Sequence, residues 1–387
     1  MRAGRSVRSR SRRDYDYDVL LESMQAGDCV AFVGAGFSAP VGMPLWRPLL
    51  TTLHAKLASS REALQSQPLL KYALQCLKDG ELARAASALR RADLSAVIDT
   101  QLRDLFDAKQ HFTERKTDVA KKEMTRRLKS LLGLPWAGII TTNYDTIILD
   151  AIQAHPHGWR NICERPSENL GRALKSSDRP FFIHLHGNTR KGHMILTEED
   201  YDAIYHTFSP VDSFLRALLL RYTVVFIGTS VEDRFVQFKR ELQVLFRNKE
   251  SESDSPPLSP EYVLLAEDDE DRAAYLRLTG GFRVLTYGNV TGKHEGLSVL
   301  MDELRRSLSQ FAHDSETTDA INKALVKIVS ASYDWITLQE ITDSLWKSKF
   351  VQETPDFNRR ELYYRLRYLV ERKLIKYNRD NQTFGTA

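Results

Sequence analysis

Four clusters of small and polar residues stand out because each follows a short apolar run. They are Gly34-Ala35-Gly36, Thr142-Asn143, His186-Gly187 and Gly228-Thr229-Ser230. Glycine lets a backbone come close to a ligand, and a histidine side chain gains and loses a proton near neutrality. If the four clusters meet in one crevice, they would supply close backbone contact and a few side chains for chemistry.

The first cluster belongs to the stretch Gly34-Ala35-Gly36-Phe37-Ser38-Ala39, which fits the loose G-x-G-x-x-G/A pattern of phosphate-binding loops. The N–H groups at the start of a following helix would favour anions. A redox dinucleotide-binding fold would place an acidic residue at the end of a second strand about 20 residues later. Pro48 and a run of leucines follow instead, so the sequence disfavours a hydride-transfer enzyme.

The histidine and asparagine residues at the strand ends also have purely structural alternatives. A histidine near a strand end is often a satisfied structural residue, and His184, deeper in its strand, suits that role. His186 lies at the strand end beside Gly187, where a substrate would have access. Asn143 and Asp145 could instead cap the helix that follows them. Their shared position at strand ends favours a functional role for Asn143 and His186.

Short apolar strands that alternate with helices would bring these clusters together. Strands of about five residues are predicted near 30–33, 137–142, 181–185, 223–227, 262–266 and 282–286. This alternation predicts an α/β fold with a Rossmann-like parallel sheet covered by helices on both faces. Ligands bind such sheets at the carboxyl ends of the strands. We therefore expect the four clusters to share one crevice.

The chain divides by composition into a tail, a large domain and a small domain. Residues 1–13 hold six arginines and no acidic residue and are predicted to be a disordered tail. Residues 14–312 form the α/β domain, with a helical insertion at about 48–132 where leucines recur at helical spacing. Three helices and a hairpin in residues 313–387 predict a small winged-helix-like domain. Its third helix, 358–373, is rich in arginine and would meet either nucleic acid or a protein partner.

Charge, cysteine count and hydropathy limit the class of protein. The formal net charge of +4 comes from the basic tail, because the rest of the chain carries −2 once those six arginines are set aside. The 387 residues include only three cysteines, and no apolar run is long enough to cross a membrane. With no secretion signal at the start, we expect a cytoplasmic protein with free thiols and no membrane contact.

Taken in order, these motifs resemble those of sirtuin-type NAD-binding domains. The residues that match the family's G-A-G-x-S, N-x-D, His-Gly and G-T-S patterns are Gly34 to Ser38, Asn143 to Asp145, His186-Gly187 and Gly228 to Ser230, with Gly42 to Trp46 following the first loop. The resemblance covers about residues 15–312. It extends to the sirtuin-like domains of bacterial antiphage defence systems and, in size, to the branch that assembles with a HerA-type hexameric ATPase.

The resemblance implies that NAD is a substrate whose nicotinamide–ribose bond is hydrolysed to give nicotinamide and ADP-ribose, depleting NAD during antiphage defence. It implies catalytic roles for Asn143, which would place water and the nicotinamide ribose, and for His186, a base with an ordinary pKa. It also implies that the dinucleotide contacts Gly34, Ala35, Gly36, Ser38, Pro44, Trp46, Asp145, Gly228, Thr229 and Ser230. A homo-oligomer and a HerA-type ATPase partner are expected on the same basis.

Three other functions stay open at this stage. A protein deacylase of this family usually carries four zinc cysteines in two C-x-x-C pairs, which three scattered cysteines cannot form, so no zinc or other metal is expected. A sensor would bind NAD or ADP-ribose without turnover, although the presence of both Asn143 and His186 favours hydrolysis. A DNA-binding regulator would use the cationic winged-helix-like domain.

Overall fold

The computed structural model divides into two compact units, residues 1–305 and 306–387. The domain boundary at 312 stays a prediction. The first helix begins at Arg12, so the last two residues of the predicted 1–13 tail are helical. The structure describes residues 12–60, 63–107, 118–154, 159–163, 169–175, 180–192, 194–206, 209–229, 261–289, 294–313, 315–332, 335–346, 366, 369, 375–378 and 383–386.

A seven-stranded parallel sheet forms the centre of the first unit. Its strands are β1 Cys29–Val33, β2 Gly138–Thr141, β3 Arg160–Cys163, β4 Phe181–His184, β5 Thr223–Ile227, β6 Tyr262–Ala266 and β7 Arg283–Tyr287. They lie in the order β3-β4-β2-β1-β5-β6-β7, and every neighbouring pair is parallel. The sheet confirms the predicted α/β, Rossmann-like class.

Apolar side chains explain why most of these strands form. Strands β1, β2, β4, β5 and β6 are buried along their whole length, as expected for a parallel sheet covered on both faces. Strand β3 was not predicted, because Arg160–Cys163 is a partly polar stretch at the edge of the sheet rather than an apolar run.

Helices connect the strands. Before residue 315, the described helices are α1 Arg12–Gln25, α2 Trp46–Ala58, α3 Gln67–Asp79, α4 Leu82–Ala92, α5 Val97–Leu105, α6 Asp118–Leu132, α7 Ile147–Gln153, α8 Glu198–Tyr205, α9 Pro210–Arg221, α10 Glu270–Gly280 and α11 Gly296–His313. Helices α2 to α6 occupy the region of the predicted insertion. The sequence also predicts a helix at 233–246 and an exposed loop at 250–260, and both lie outside the described residues. In the described part of the chain, no helix is long and apolar enough to cross a membrane.

The direction in which the chain adds strands reverses at β1. The chain passes from β1 to β2 on one side and later returns to β5 on the other. Both neighbours run parallel to β1, so the carboxyl ends of all three strands lie at the same edge of the sheet. Ligands bind in the crevice at such a switch point. The polar clusters after β1, β2, β4 and β5 therefore share one edge.

The second unit has its own small sheet and core. Its described elements are α12 Ser315–Ala331, α13 Leu338–Trp346, β8 Ile336–Thr337, β9 Ile375–Asn378 and β10 Thr383–Thr386. The strands are antiparallel in the order β8-β10-β9, and Leu366 and Leu369 join the core between sheet and helices. The rest of the predicted third helix lies outside the described residues, so the winged-helix assignment stays a prediction.

Candidate functional site

The glycine loop after β1 is hydrogen-bonded directly to the end of β5. The N–H of Gly34 donates to the carbonyl of Ile227 at 3.0 Å, and the N–H of Gly36 donates to the carbonyl of Gly228 at 2.8 Å. A Cβ at Gly36 would lie 2.8 Å from the Gly228 oxygen. A Cβ at Gly228, whose φ is +63°, would lie 2.4 Å from the Phe37 nitrogen. These glycines are needed because two backbones touch here.

This packing changes what the loop can offer to a phosphate. The sequence predicted a helix start whose N–H groups favour anions, but the loop continues into two 3₁₀ turns, Ala35–Phe37 and Ala39–Val41. The next α-helix, α2, begins only at Trp46. Because the N–H groups of Gly34 and Gly36 already donate to protein carbonyls, any contribution of theirs to ligand binding comes from the shape of the loop.

Asn143 follows β2 and contacts the glycine loop through Ser38. Its side-chain Nδ2 donates to Ser38 Oγ at 3.3 Å, and its backbone N–H donates to Thr141 Oγ1 at 3.1 Å. The amide oxygen Oδ1 is buried and has no hydrogen-bond partner among the described residues. An unsatisfied buried acceptor destabilises a protein by about 1–3 kcal/mol. Such an atom marks a place where a donor from a ligand or a water molecule would fit.

His184, at the end of β4, contacts the same residue. Its Nδ1 lies 3.2 Å from the backbone oxygen of Asn143. A carbonyl oxygen can only accept, so Nδ1 carries the hydrogen and Nε2 presents a lone pair. Nε2 is buried and has no hydrogen-bond partner in the described part of the chain. Burial lowers the pKa of His184 to about 4, against the opposing effect of the hydrogen bond to Asn143.

His186 lies in an aromatic enclosure. It is only 2% exposed, and its Nε2 is 2.6 Å from the Tyr205 hydroxyl. The rings of Tyr201 and Tyr205 meet it edge-on at centroid distances of 5.3 and 5.8 Å, and Trp46 stacks on Tyr201. Burial lowers the pKa of His186 to about 3. The expectation of an ordinary pKa is therefore wrong, and the imidazole is neutral at physiological pH.

The helical insertion holds this enclosure in place through helix α8. Thr197 and Asp200 form a capping box that fixes the start of α8. Ser87 of α4 donates to Glu199 at 2.5 Å and accepts from the N–H of Glu198 at 2.9 Å. The α4 helix thereby fixes the element that carries both tyrosines. Sequence reasoning missed the tyrosines, although their i, i+4 spacing behind a capping box signals one face of a helix.

The other predicted site residues are only partly brought together. Asp145 accepts a hydrogen bond from the N–H of Ile147 at 3.1 Å, while the N-cap residue of α7 is Thr146. Thr229 packs against Gly34, since a Cβ there would lie 2.6 Å from the Thr229 Cβ. Ala35 and Pro44 are half-buried, and Ser230 lies outside the described residues. The indole nitrogen of Trp46 is buried without a hydrogen-bond partner among the described residues.

The described residues contain no group of three or more histidine, cysteine, aspartate or glutamate residues that could hold a metal ion. Cys29 and Cys76 are buried free thiols, and burial raises the pKa of the Cys29 thiol.

The parallel sheet, its switch point and the polar residues at its carboxyl edge define an α/β protein with a Rossmann-like ligand crevice. Residues 137–281 match the family model of the SIR2-like domain. The match supports the sirtuin-like resemblance for the region that holds Asn143, Asp145, His186 and Gly228. The glycine loop at Gly34 precedes the matched residues.

A more particular similarity is to "Defense-associated sirtuin 2" of Bacillus subtilis. The two sequences are 24% identical over 218 residues, which make up 55% of this chain and 19% of that relative. The match therefore spans about a fifth of the relative's own length.

Proposed function

We propose that this chain is an NAD+ hydrolase that depletes NAD in bacterial antiphage defence. The SIR2-like match and the similarity to a protein named as a defence-associated sirtuin support this proposal. The observation that carries it is the Ser38–Asn143 pair, because this contact joins two strand ends at the switch point and leaves one buried amide oxygen for a donor from the ligand.

The reaction needs little covalent chemistry from the protein. The bond between C1′ of the ribose and the nicotinamide nitrogen breaks, and its electron pair stays on the ring, which leaves as neutral nicotinamide. A water oxygen bonds to C1′, and one proton is released to solvent. The transition state resembles the oxocarbenium ion of glycoside hydrolysis. The protein must therefore fix the ribose and place the water.

The candidate residues suit these two tasks. Asn143 Oδ1 would accept a hydrogen bond from the water or from a ribose hydroxyl. His186 would serve as a neutral acceptor, because its lowered pKa keeps it deprotonated above about pH 4. The loop at Gly34, with Ser38, would lie along the pyrophosphate, and Gly228 and Thr229 would lie along the adenosine. These positions follow the sirtuin-like resemblance.

Chromatography of pure full-length protein incubated with NAD tests the proposal. We expect nicotinamide and ADP-ribose in equal amounts, and at least a hundredfold lower rate for Asn143→Ala and for His186→Ala, within the usual range for removal of a positioned catalytic group. His206→Ala is a matched control, because His206 is exposed. Undiminished turnover by both site variants would contradict the assignments. Formation of O-acetyl-ADP-ribose from an acetylated peptide would favour a deacylase.

A second candidate is a sensor that binds NAD or ADP-ribose without turnover. The enclosure of His186 favours it, because Tyr205 already occupies Nε2 and the side chain is 2% exposed. Tight binding of ADP-ribose together with intact NAD after long incubation would support the sensor. Release of nicotinamide would support the hydrolase.

We propose as well that the chain forms a homo-oligomer and pairs with a HerA-type hexameric ATPase, as the resemblance implies. Light scattering on the chain alone and after co-expression with such an ATPase would test both. Salt-sensitive retention of the full chain on DNA, lost on deletion of residues 313–387, would support nucleic-acid binding by the second unit.

A further inference from the structure

The insertion contributes a fully buried arginine to the glycine loop. Arg127 of α6 has an exposure of 0%. Its Nη1 donates to the carbonyls of Gly36 and Phe37, both at 3.1 Å, and its Nη2 donates to the carbonyl of His294 at 2.6 Å. Its Nε donates to Glu123 at 3.1 Å. Arginine is almost never fully buried unless it is paired, so these four acceptors explain why the residue is tolerated here.

The preceding residue of α6, Arg126, has a different environment. Arg126 is 42% exposed on its side chain and forms an ion pair with Asp302 at 2.7 Å. The charged stretch 106–127 offers no sequence signal that separates the two arginines. Only Arg127 reaches the loop, and it does so across 91 residues of sequence.

Arg127 adds a second set of hydrogen bonds to the loop, distinct from those made by the end of β5. The N–H groups of Gly34 and Gly36 are held by Ile227 and Gly228, while the carbonyls of Gly36 and Phe37 are held by Arg127. A carbonyl oxygen repels an anion, so the direction in which these two oxygens point decides whether a phosphate can rest on the loop. The planar guanidinium turns both towards α6.

We propose that Arg127 is a positioning residue for phosphate binding, which holds the loop of residues 34–38 in the conformation that accepts the pyrophosphate of the dinucleotide. This inference rests on the proposed function. Burial lowers the pKa of Arg127 and Glu123 opposes that effect, and an arginine side chain stays charged at neutral pH. Glu123 is in turn held by Ser298, so the tether is anchored on α11 as well.

Binding of two ligands to the full chain tests the proposal. ADP-ribose carries the pyrophosphate, and adenosine is the matched ligand without it. We expect Arg127→Met to weaken ADP-ribose binding about tenfold and adenosine binding less than about twofold, as suits loss of a charge-assisted tether. Arg126→Met is the matched control and should leave both affinities within about twofold, because exposed ion pairs contribute little.

A conservative variant protects the test against misfolding. Arg127→Lys keeps the charge but loses the fork that bridges two carbonyls, so ADP-ribose binding should weaken about threefold. If Arg127→Met shows no cooperative unfolding transition, the ADP-ribose affinity of Arg127→Lys is compared with that of the unaltered chain instead. Equal affinity of the Lys variant and the unaltered chain for ADP-ribose would overturn the inference, as would equal losses for both ligands. Failure of the unaltered chain to bind ADP-ribose would count against the proposed function itself.

Discussion

The glycine side and the polar side of the candidate site are built from different groups. On the glycine side, residues 34–38 and 228–229, the backbone groups of Gly34, Gly36 and Gly228 are engaged by neighbouring backbone or by Arg127. On the polar side, formed by Asn143, His184 and His186, buried side chains are held by one or two hydrogen bonds each, and two of them leave an atom unsatisfied. The difference teaches that shape and chemistry are supplied separately: the backbone groups of the first side are engaged, and the second side keeps two buried acceptors, Asn143 Oδ1 and His184 Nε2, without a hydrogen-bond partner among the described residues.

The largest effect is expected from a methyl group placed on the glycine side. Gly228→Ala forces a Cβ to within 2.4 Å of the Phe37 nitrogen at a φ of +63°. We expect a loss of about 3 kcal/mol in the free energy of unfolding, from left-handed backbone and overpacking together. Denaturant unfolding measures it. Gly27→Ala is the matched control, because Gly27 has a φ of +70° with nothing within 4 Å, and should lose only about 1 kcal/mol. Equal losses would show that the contact between the two strand ends is unimportant.

Acid should act on the polar side. His184 and His186 have pKa values of about 4 and 3 in the folded chain, against about 6.5 when unfolded. Above pH 6.5 both states are neutral and the full stability is present. As the pH falls below 6.5, the unfolded chain binds protons and the folded chain does not, so the free energy of unfolding falls. This fall ends once the pH reaches the folded pKa values.

The free energy of unfolding should therefore fall by about 3 kcal/mol between pH 7.5 and 5.5 from these two histidines together. His186→Phe should remove about half of that pH dependence. An unchanged slope in His186→Phe would mean that His186 titrates normally. Thermal or urea unfolding at a series of pH values measures these slopes.

The contact that joins the two sides should have a smaller effect. Ser38→Ala removes the acceptor of Asn143 Nδ2, and we expect a loss of about 1 kcal/mol together with weaker binding of ADP-ribose. Ser59→Ala, at an exposed position, should change neither quantity. If Ser38→Ala leaves ADP-ribose affinity intact, the two sides act independently.

The smallest expected effect is the pH dependence of the rate of NAD cleavage. A base with the ordinary pKa of 6.5 would make the rate of NAD cleavage fall about fourfold between pH 8 and pH 6. Because burial lowers the pKa of His186 to about 3, we expect less than about a twofold change over the same range in single-turnover assays. A fourfold fall would show that His186 becomes solvated when substrate binds.

Much of the architecture was visible in the sequence because local signals and the fold agree. Apolar runs that stop at glycine or a polar residue predicted the strands and the cluster at each carboxyl end, and the structure brings those ends to one edge of the sheet. Strand β3 was missed because an edge strand need not be apolar. Whether Asn143 and His186 are catalytic stays a prediction.

What the sequence could not show depends on contacts between distant segments. Arg127 lies in a charged stretch, and only packing against the loop distinguishes it from Arg126. Burial lowers the pKa of His186. Tyr201 and Tyr205 pack around its ring, and the insertion holds the helix α8 that carries them. A residue-spacing pattern describes a single helix or strand, so it cannot predict these contacts between distant segments.

The sequence distances that close the crevice also bear on how fast it can form. Ser38 meets Asn143 across 105 residues, Arg127 meets Gly36 across 91, and Ser87 meets Glu199 across 112. The chain loses conformational entropy when such long loops close, and this loss comes before the stabilising contacts form. Chains dominated by distant contacts therefore fold slowly. A nascent chain cannot join β1 to β5 until residue 227 has been made. The candidate site therefore cannot assemble until most of the first unit has been synthesised.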